Sequence, residues 1–261
     1  MILERMRAMN RMLQTAAKVT YAEVATILGQ VLEANVYIGD REGGILGFSL
    51  QKGFECDVML EKVLQVGCFP ERYVEWLLRA TETLPNVRLK ESRCAFSGDL
   101  LCKFSDKFTT IVPMYGCGER SGTLIVAKFE KEFTEADLVL AEYAAVVVGL
   151  KFLRDQNDRT EEIARKKAIV QMAFGTLSYS EQTAMRYLLR EIEGNEGLLI
   201  ASRIADQKGF TRSVIVNALR KLGSAGVLES QSLGMKGTYV RITNEYLMAF
   251  LEKLSEAGSH R

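Results

Sequence analysis

Residues 201–222, ASRIADQKGFTRSVIVNALRKL, constrain the fold more than any other stretch, because they follow the grammar of two short helices crossing at a turn. A small residue, Ala205, stands where two such helices must touch. Gly209 follows four positions later to allow the tight turn, and Ile215 restarts the apolar stripe. Thr211 is the expected N-cap of the second helix. Its outward face is expected to carry Arg212, Ser213, Asn217, Arg220 and Lys221, side-chain types that reach phosphates and base edges. The competing reading is an ordinary helical hairpin with a solvated basic face.

The residues after the hairpin argue against that competitor. Gly226 ends the second helix, and residues 227–229 read as a strand leading through the turn SLGMKG into a second alternating strand at 238–242. A helix-turn-helix followed by a β-hairpin is a winged helix. The wing tip carries Lys236, and the returning strand carries Arg241. From Ala201 to Arg241 seven Lys and Arg face two acids, a local balance of +5, whereas the whole chain is only +1. Residues 1–150 hold 17 basic and 20 acidic side chains, about −3. Phosphate contacts depend on local charge, so the excess lies where the motif requires it. The near-neutral total argues against indiscriminate coating of nucleic acid or of an anionic membrane.

A chain of 261 residues that is 48% hydrophobic has material for one large or two modest cores. No apolar run approaches the ~18–20 residues of a membrane span, and charges interrupt MILERMRAMNRML, so a soluble, cytoplasmic protein is expected. Five cysteines (Cys56, Cys68, Cys94, Cys102 and Cys117) form no CxxC pair, and the one histidine is His260. Neither a zinc site nor a histidine-based triad can be assembled from these, and free buried thiols are the expected state.

Upstream, caps and punctuation give the order of elements. Met6, Met9, Leu13 and Ala16 form a first amphipathic stripe, and Thr20 with Glu23 makes a capping box for a helix to about Glu33. Strands are expected at 35–38 and 45–50 around the turn GDREGG, helices at 56–65 and 70–82, and strands at 109–115 and 122–129 around GCGERS. This order predicts an α+β, PAS- or GAF-like sensor: an antiparallel sheet with helices on its faces and a pocket on one side. Thr134 and Asp137 resemble another cap. From there to about Phe174 the chain has no Pro and only Gly149, which allows one helix of about 40 residues and about 60 Å, or two helices broken near Gly149 or Asn157. Ser178 and Glu181 cap a further helix to about Glu193, before the turn GNEG. The expected division is residues 1–150 for the sensor, 151–177 for a connecting helix and 178–261 for the winged helix.

Several segments together, SYSE (178–181), GNEGLL (194–199), TRSVIVNALRKL (211–222), SAGV (224–227) and SLGMKGTY (232–239), resemble the C-terminal domain of the CodY family of nutrient-responsive transcriptional repressors. The likeness extends through KKAIVQMA, AVVVG, DLVLAEY, GERSGTLI and TTIVP, and more loosely through FPERY and LGFS, so it covers nearly the whole chain. It implies a GAF effector domain that binds branched-chain amino acids, above all isoleucine, joined to a winged helix that binds A/T-rich inverted repeats as a homodimer. Effector binding in the family raises DNA affinity, and the long helix is the obvious carrier of that coupling. The implied DNA-contacting set is Ala201, Ser202, Arg203, Thr211, Arg212, Ser213, Asn217, Arg220, Lys221 and Lys236.

For the effector, the resemblance carries over Phe69, Pro70 and Tyr73, the loop residues Ala95 and Phe96, and Leu60 with Val63 where the family lines its pocket with methionines. The chain departs from the family at the polar end. Met59 occupies the position of the arginine that pairs with the ligand carboxylate, and Cys94 replaces a threonine. A bound carboxylate without a cation pays a large desolvation penalty. Arg93 is therefore the candidate substitute, or else the protein senses something other than an amino acid. Several family members also bind GTP. Here the turn Asp40, Arg41, Glu42, Gly43, Gly44 sets two acids beside one arginine, and no GxxxxGK[ST] occurs, so weak or absent GTP binding is expected. An enzyme would need converging acids and bases that the chain does not supply. The remaining alternative is the same winged-helix regulator with a pocket retuned to another ligand or to thiol redox state.

Overall fold

Both capping boxes form. Thr20 Oγ1 accepts the Glu23 N–H at 3.2 Å while Glu23 returns a carboxylate to the Thr20 N–H at 2.7 Å, and Ser178 with Glu181 does the same at 3.3 and 2.7 Å. The computed structural model describes residues 2–15, 19–54, 56–88, 93–97, 100–192, 194–200 and 209–258. Ala16, Glu193, Ala201, Ser202, Arg203, Ala205 and His260 therefore lie outside the described residues. The chain packs as two units, Met1–Gln156 and Asn157–Arg261.

In the first unit, α1 (Ile2–Thr15) and α2 (Tyr21–Leu32) precede β1 (Asn35–Asp40) and β2 (Ile45–Ser49). A short helix α3 (Asp57–Met59) runs directly into a π-helical turn (Leu60–Leu64), followed by α4 (Glu71–Leu78), β3 (Leu84–Val87), β4 (Phe108–Gly116) and β5 (Glu119–Lys128). The five strands form one sheet in the order β2-β1-β5-β4-β3, antiparallel throughout. Strand alternation sends successive side chains to opposite faces. Val36, Ile38, Val112, Met114, Leu124 and Val126 pack with α1, α2 and the start of the next helix, while Tyr37, Ile111 and Ile125 pack with α3 and α4.

Helix α5 (Glu135–Gly175) is continuous over 41 residues, which decides between one helix and two. Thr134 and Asp137 cap it: the Thr134 hydroxyl accepts the Asp137 N–H at 3.3 Å, and Asp137 Oδ2 accepts the Thr134 N–H at 3.1 Å. Gly149 does not break it but allows close packing, since a Cβ there would overlap the carbonyl of Tyr115 at the end of β4.

The second unit is built on the last turns of α5, through Val170, Ala173 and Phe174, with α6 (Tyr179–Arg190), β6 (Glu196–Leu199), α7 (Arg212–Ser224), β7 (Leu228–Ser232), β8 (Thr238–Ile242) and α8 (Tyr246–Gly258). A 3₁₀ turn (Gly234–Lys236) joins β7 to β8, and the three-stranded sheet runs β6-β8-β7.

The structure corrects four local expectations. The helix expected at 56–65 is mostly π-helical. The helix expected to reach 82 stops at Leu78, and the chain turns into β3 instead. Glu196 and Gly197, read as the second half of the turn GNEG, instead open an edge strand, Glu196–Leu199, that pairs with β8. Thr211 does precede α7 with extended backbone, but its hydroxyl makes no capping bond, and its carbonyl takes the Val214 N–H at 3.1 Å instead.

Candidate functional site

One face of the first sheet encloses a cavity of about 80 Å³. A single water needs only ~10–15 Å³, so the space suits a small organic molecule. Its floor comes from the sheet: Asn35 and Tyr37 of β1, Ile125 and Ala127 of β5, and Thr109 of β4. Phe69, Tyr73 and Trp76 close one side from the entry and first turns of α4, with Met59 of α3 beside them. Ala95 and Phe96, together with Phe104 and Lys107, form a wall from the segment between β3 and β4. The rings interlock, Tyr73 and Phe96 meeting edge to face with centroids 4.9 Å apart and Phe69 lying 5.5 Å from Tyr73. Burial pushes the Tyr37 and Tyr73 hydroxyls well above the usual phenol range, so both stay protonated donors.

Of the residues anticipated for the effector, Met59, Phe69, Tyr73, Cys94, Ala95 and Phe96 line this cavity. Val63 is fully buried in the core behind it, Leu60 is partly exposed, and Pro70 serves as the residue before α4. Arg93 was the expected cation. It is exposed, bridges to Leu101 on its own loop and is not part of the wall. The cation in the wall is Lys107, which sequence reasoning passed over.

A second residue missed from sequence is Arg120. Its guanidinium donates to the Leu77 carbonyl at 3.0 Å, to that of Ala80, and to Thr123 Oγ1 at 2.9 Å. It thereby ties the C-terminal end of α4 to β5 and holds Tyr73 and Trp76 over the floor. Burial lowers its pKa. In the turn between β1 and β2, Asp40 Oδ1 accepts the Gly44 N–H at 2.6 Å while Arg41 and Glu42 point outward. Of the five cysteines, Cys94 is buried and Cys117 exposed, and Cys56, Cys94 and Cys102 share the cavity wall.

In the second unit, α7 buries Ile215, Ala218, Leu219 and Leu222 and turns Arg212, Ser213, Asn217 and Arg220 outward. Val216, 47% exposed, stands on the same face and was not anticipated. Gly209, with φ +72°, adopts the left-handed backbone of the turn before it. Lys236 is exposed at the wing tip. Lys221 has a different task. Its ammonium reaches Glu181 at 2.7 Å and the Thr176 carbonyl at 3.2 Å, joining α7 to the cap of α6.

A cavity on one face of a GAF-type antiparallel sheet and, in the other unit, a recognition helix backed by a β-hairpin wing define a DNA-binding transcriptional regulator with a ligand-binding domain. The model of the CodY GAF-like domain matches residues 1–176, and that of the CodY helix-turn-helix domain matches residues 195–256. The global transcriptional regulator CodY of Clostridium beijerinckii is 51% identical over 97% of this chain and 98% of its own length. That of Clostridium kluyveri is 49% identical over the same shares. The cofactor-binding GAF domain of the nutrient sensor CodY from Clostridium difficile is 31% identical, covers 57% of this chain and 96% of its own, and superposes with a TM-score of 0.40. The chain belongs to the CodY family of global transcriptional regulators. Among the described residues no helix is long and apolar enough to cross a membrane.

Proposed function

We propose that the cavity binds a branched-chain amino acid, isoleucine first among them, and that occupancy raises the affinity of the winged helix for an A/T-rich inverted repeat, so that target genes are repressed while nutrients last. The observation that carries this reading is the aromatic-walled cavity of about 80 Å³, small and apolar enough for a branched aliphatic side chain with a polar head. α5 contributes side chains to both cores and is the element through which occupancy biases the DNA-competent state, by no more than the ligand's differential affinity for it. The DNA-contacting set is Arg212, Ser213, Asn217 and Arg220 with Lys236 on the wing. Val216 adds an apolar contact of the kind that recognises a thymine methyl. Thr211 sits at the exposed start of the same face. A homodimer matches the two-fold symmetry of an inverted repeat, and Val139, Val146 and Leu150, exposed at helical spacing along α5, supply an apolar stripe for it. With Asp40 turned into its own loop and Glu42 beside Arg41, the β1–β2 turn offers a triphosphate little, and GTP binding is weak or absent.

The test is a fluorescence anisotropy titration of an A/T-rich inverted-repeat duplex at fixed salt, with and without millimolar isoleucine. Tighter binding with isoleucine supports the reading, and equal affinity removes the amino acid from it. A second reading, thiol sensing by the same regulator, is favoured by Cys56, Cys94 and Cys102 sharing one wall. It requires operator affinity to change on mild oxidation and to return with reductant.

A further inference from the structure

Strand register fixes the polar part of the cavity floor. Asn35 on β1 pairs with Ala127 on β5, and Ala127 pairs with Thr109 on β4. Adjacent strands lie ~4.8 Å apart, so Asn35 and Thr109 stand roughly 10 Å from each other with only the methyl of Ala127 between them. Lys107, two residues before Thr109, joins the wall on the same side.

Two donors line this cavity without a carboxylate to match them. Asn35 is 0% exposed, and its Oδ1 takes the Gln51 N–H at 2.6 Å, which fixes the amide orientation and leaves Nδ2 with no hydrogen-bond partner among the described residues. Nδ2 lies near enough to Tyr37 to offset slightly the upward pull of burial on that hydroxyl, but without hydrogen-bond geometry. An orphaned buried N–H group is costly and calls for an explanation. Among the described residues, Lys107 Nζ reaches the Phe104 carbonyl at 3.2 Å and Cys102 Sγ at 3.4 Å, both on its own loop. The described wall contains no Asp or Glu, so no carboxylate in it pairs with Lys107.

We propose that the ligand is recognised through a carboxylate seated between Lys107 Nζ and Asn35 Nδ2, with its apolar tail toward Phe69 and Phe96. Bonds between an ionised acceptor and such donors are about twice as strong as neutral ones, and one cation with one amide matches a single negative charge better than the nearly double charge of a phosphate. The seat lies on the sheet, away from Met59. It rests on the reading of this cavity as the effector site and deepens it: the anion is the group that this seat recognises.

Trp76, the only tryptophan of the chain, lines the cavity and reports occupancy by its fluorescence. The full-length protein is titrated with isoleucine, with 3-methyl-2-oxopentanoate, which keeps the carboxylate and lacks the amine, and with isoleucinamide, which lacks the carboxylate. Lys107→Met and Asn35→Asp should each weaken the two carboxylates by about tenfold or more and should not weaken isoleucinamide, which is a net cation and gains from a site made more negative. Asn35→Asp is nearly isosteric and retains the acceptor for Gln51. Should it unfold the unit, seen as a red-shifted Trp76 spectrum, Lys107→Met alone decides. Retention of carboxylate affinity within about threefold in a folded variant overturns the proposal. Wild-type binding of the 2-oxo acid but not of isoleucine, lost in Lys107→Met, overturns the amino-acid effector and upholds the seat. Failure of the wild type to bind any carboxylate overturns both.

Discussion

Asp137→Asn tests the electrostatic joint at the start of α5. Asp137 Oδ1 meets Arg5 of α1 at 2.9 Å, and Oδ2 meets Lys128 of β5 at 2.9 Å and the Thr134 N–H at 3.1 Å, with 6% of the side chain exposed. Burial by itself raises the carboxyl pKa. The hydrogen bonds from Lys128, Thr134 and Arg5 and the charge of Lys128 outweigh it and bring the pKa from 3.8 to about 2. At 1.36 kcal/mol per unit that is roughly 2.5 kcal/mol, which solvent screening at the half-exposed Arg5 end reduces to about 1–2 kcal/mol. A folded-state pKa below the unfolded one gives stability that is full above about pH 4 and disappears as pH falls toward 2. The amide also leaves Lys128 and Arg5 without a counterion, so the loss at pH 7 is expected at about 2–3 kcal/mol. Urea unfolding followed through Trp76, which lies in the same unit, isolates this transition from that of the winged helix. A deficit under about 0.5 kcal/mol at pH 7, or one that stays constant from pH 5 to pH 2.5, would refute the reasoning.

Arg212→Ala should weaken operator binding by about 1–3 kcal/mol with little change in the melting of the second unit, read by anisotropy and calorimetry, and equal operator affinity would remove it from the interface. Lys236→Ala should weaken binding to all sequences and lower the slope of log affinity against log salt by about one, as for a single phosphate contact. An unchanged slope places the wing tip away from DNA. Val146→Glu should shift sedimentation toward monomer and lower affinity for the inverted repeat more than for a half-site, whereas an unaltered mass would exclude the α5 stripe as the dimer seam.

Local chemistry was legible wherever one short segment decides the outcome. The boxes at Thr20 and Ser178, the turn at Gly209 and the apolar spacing of α7 each need only a few neighbours in sequence, and all appear as read. The edge strands β3 and β6 were not legible. β3 contains Pro85 and Asn86, the latter at φ +51°, and β6 opens inside a turn sequence, so both are held by the neighbouring strand rather than by propensity. The cavity was half legible for the same reason. Phe69, Tyr73 and Phe96 announce themselves as aromatics, but nothing local marks which face of β1, β4 and β5 carries Asn35, Thr109 and Ala127. The choice between Arg93 and Lys107 depended on which loop residue the sheet turns inward. The task of Lys221 depended on where the cap of α6 ends up in space.

The π-helical turn at Leu60–Leu64, whose Gln65 N–H reaches the Leu60 carbonyl at 2.9 Å, amounts to one residue more than an ordinary helix would hold. Removing a residue there relaxes the backbone to a regular α-helix while turning everything upstream, Met59 included, by about 100° about the helix axis. Ligand preference in this lineage is therefore open to change by gain or loss of a codon as well as by substitution. Relatives that differ in length at this turn should differ in what they sense, even where every aromatic residue of the wall is shared.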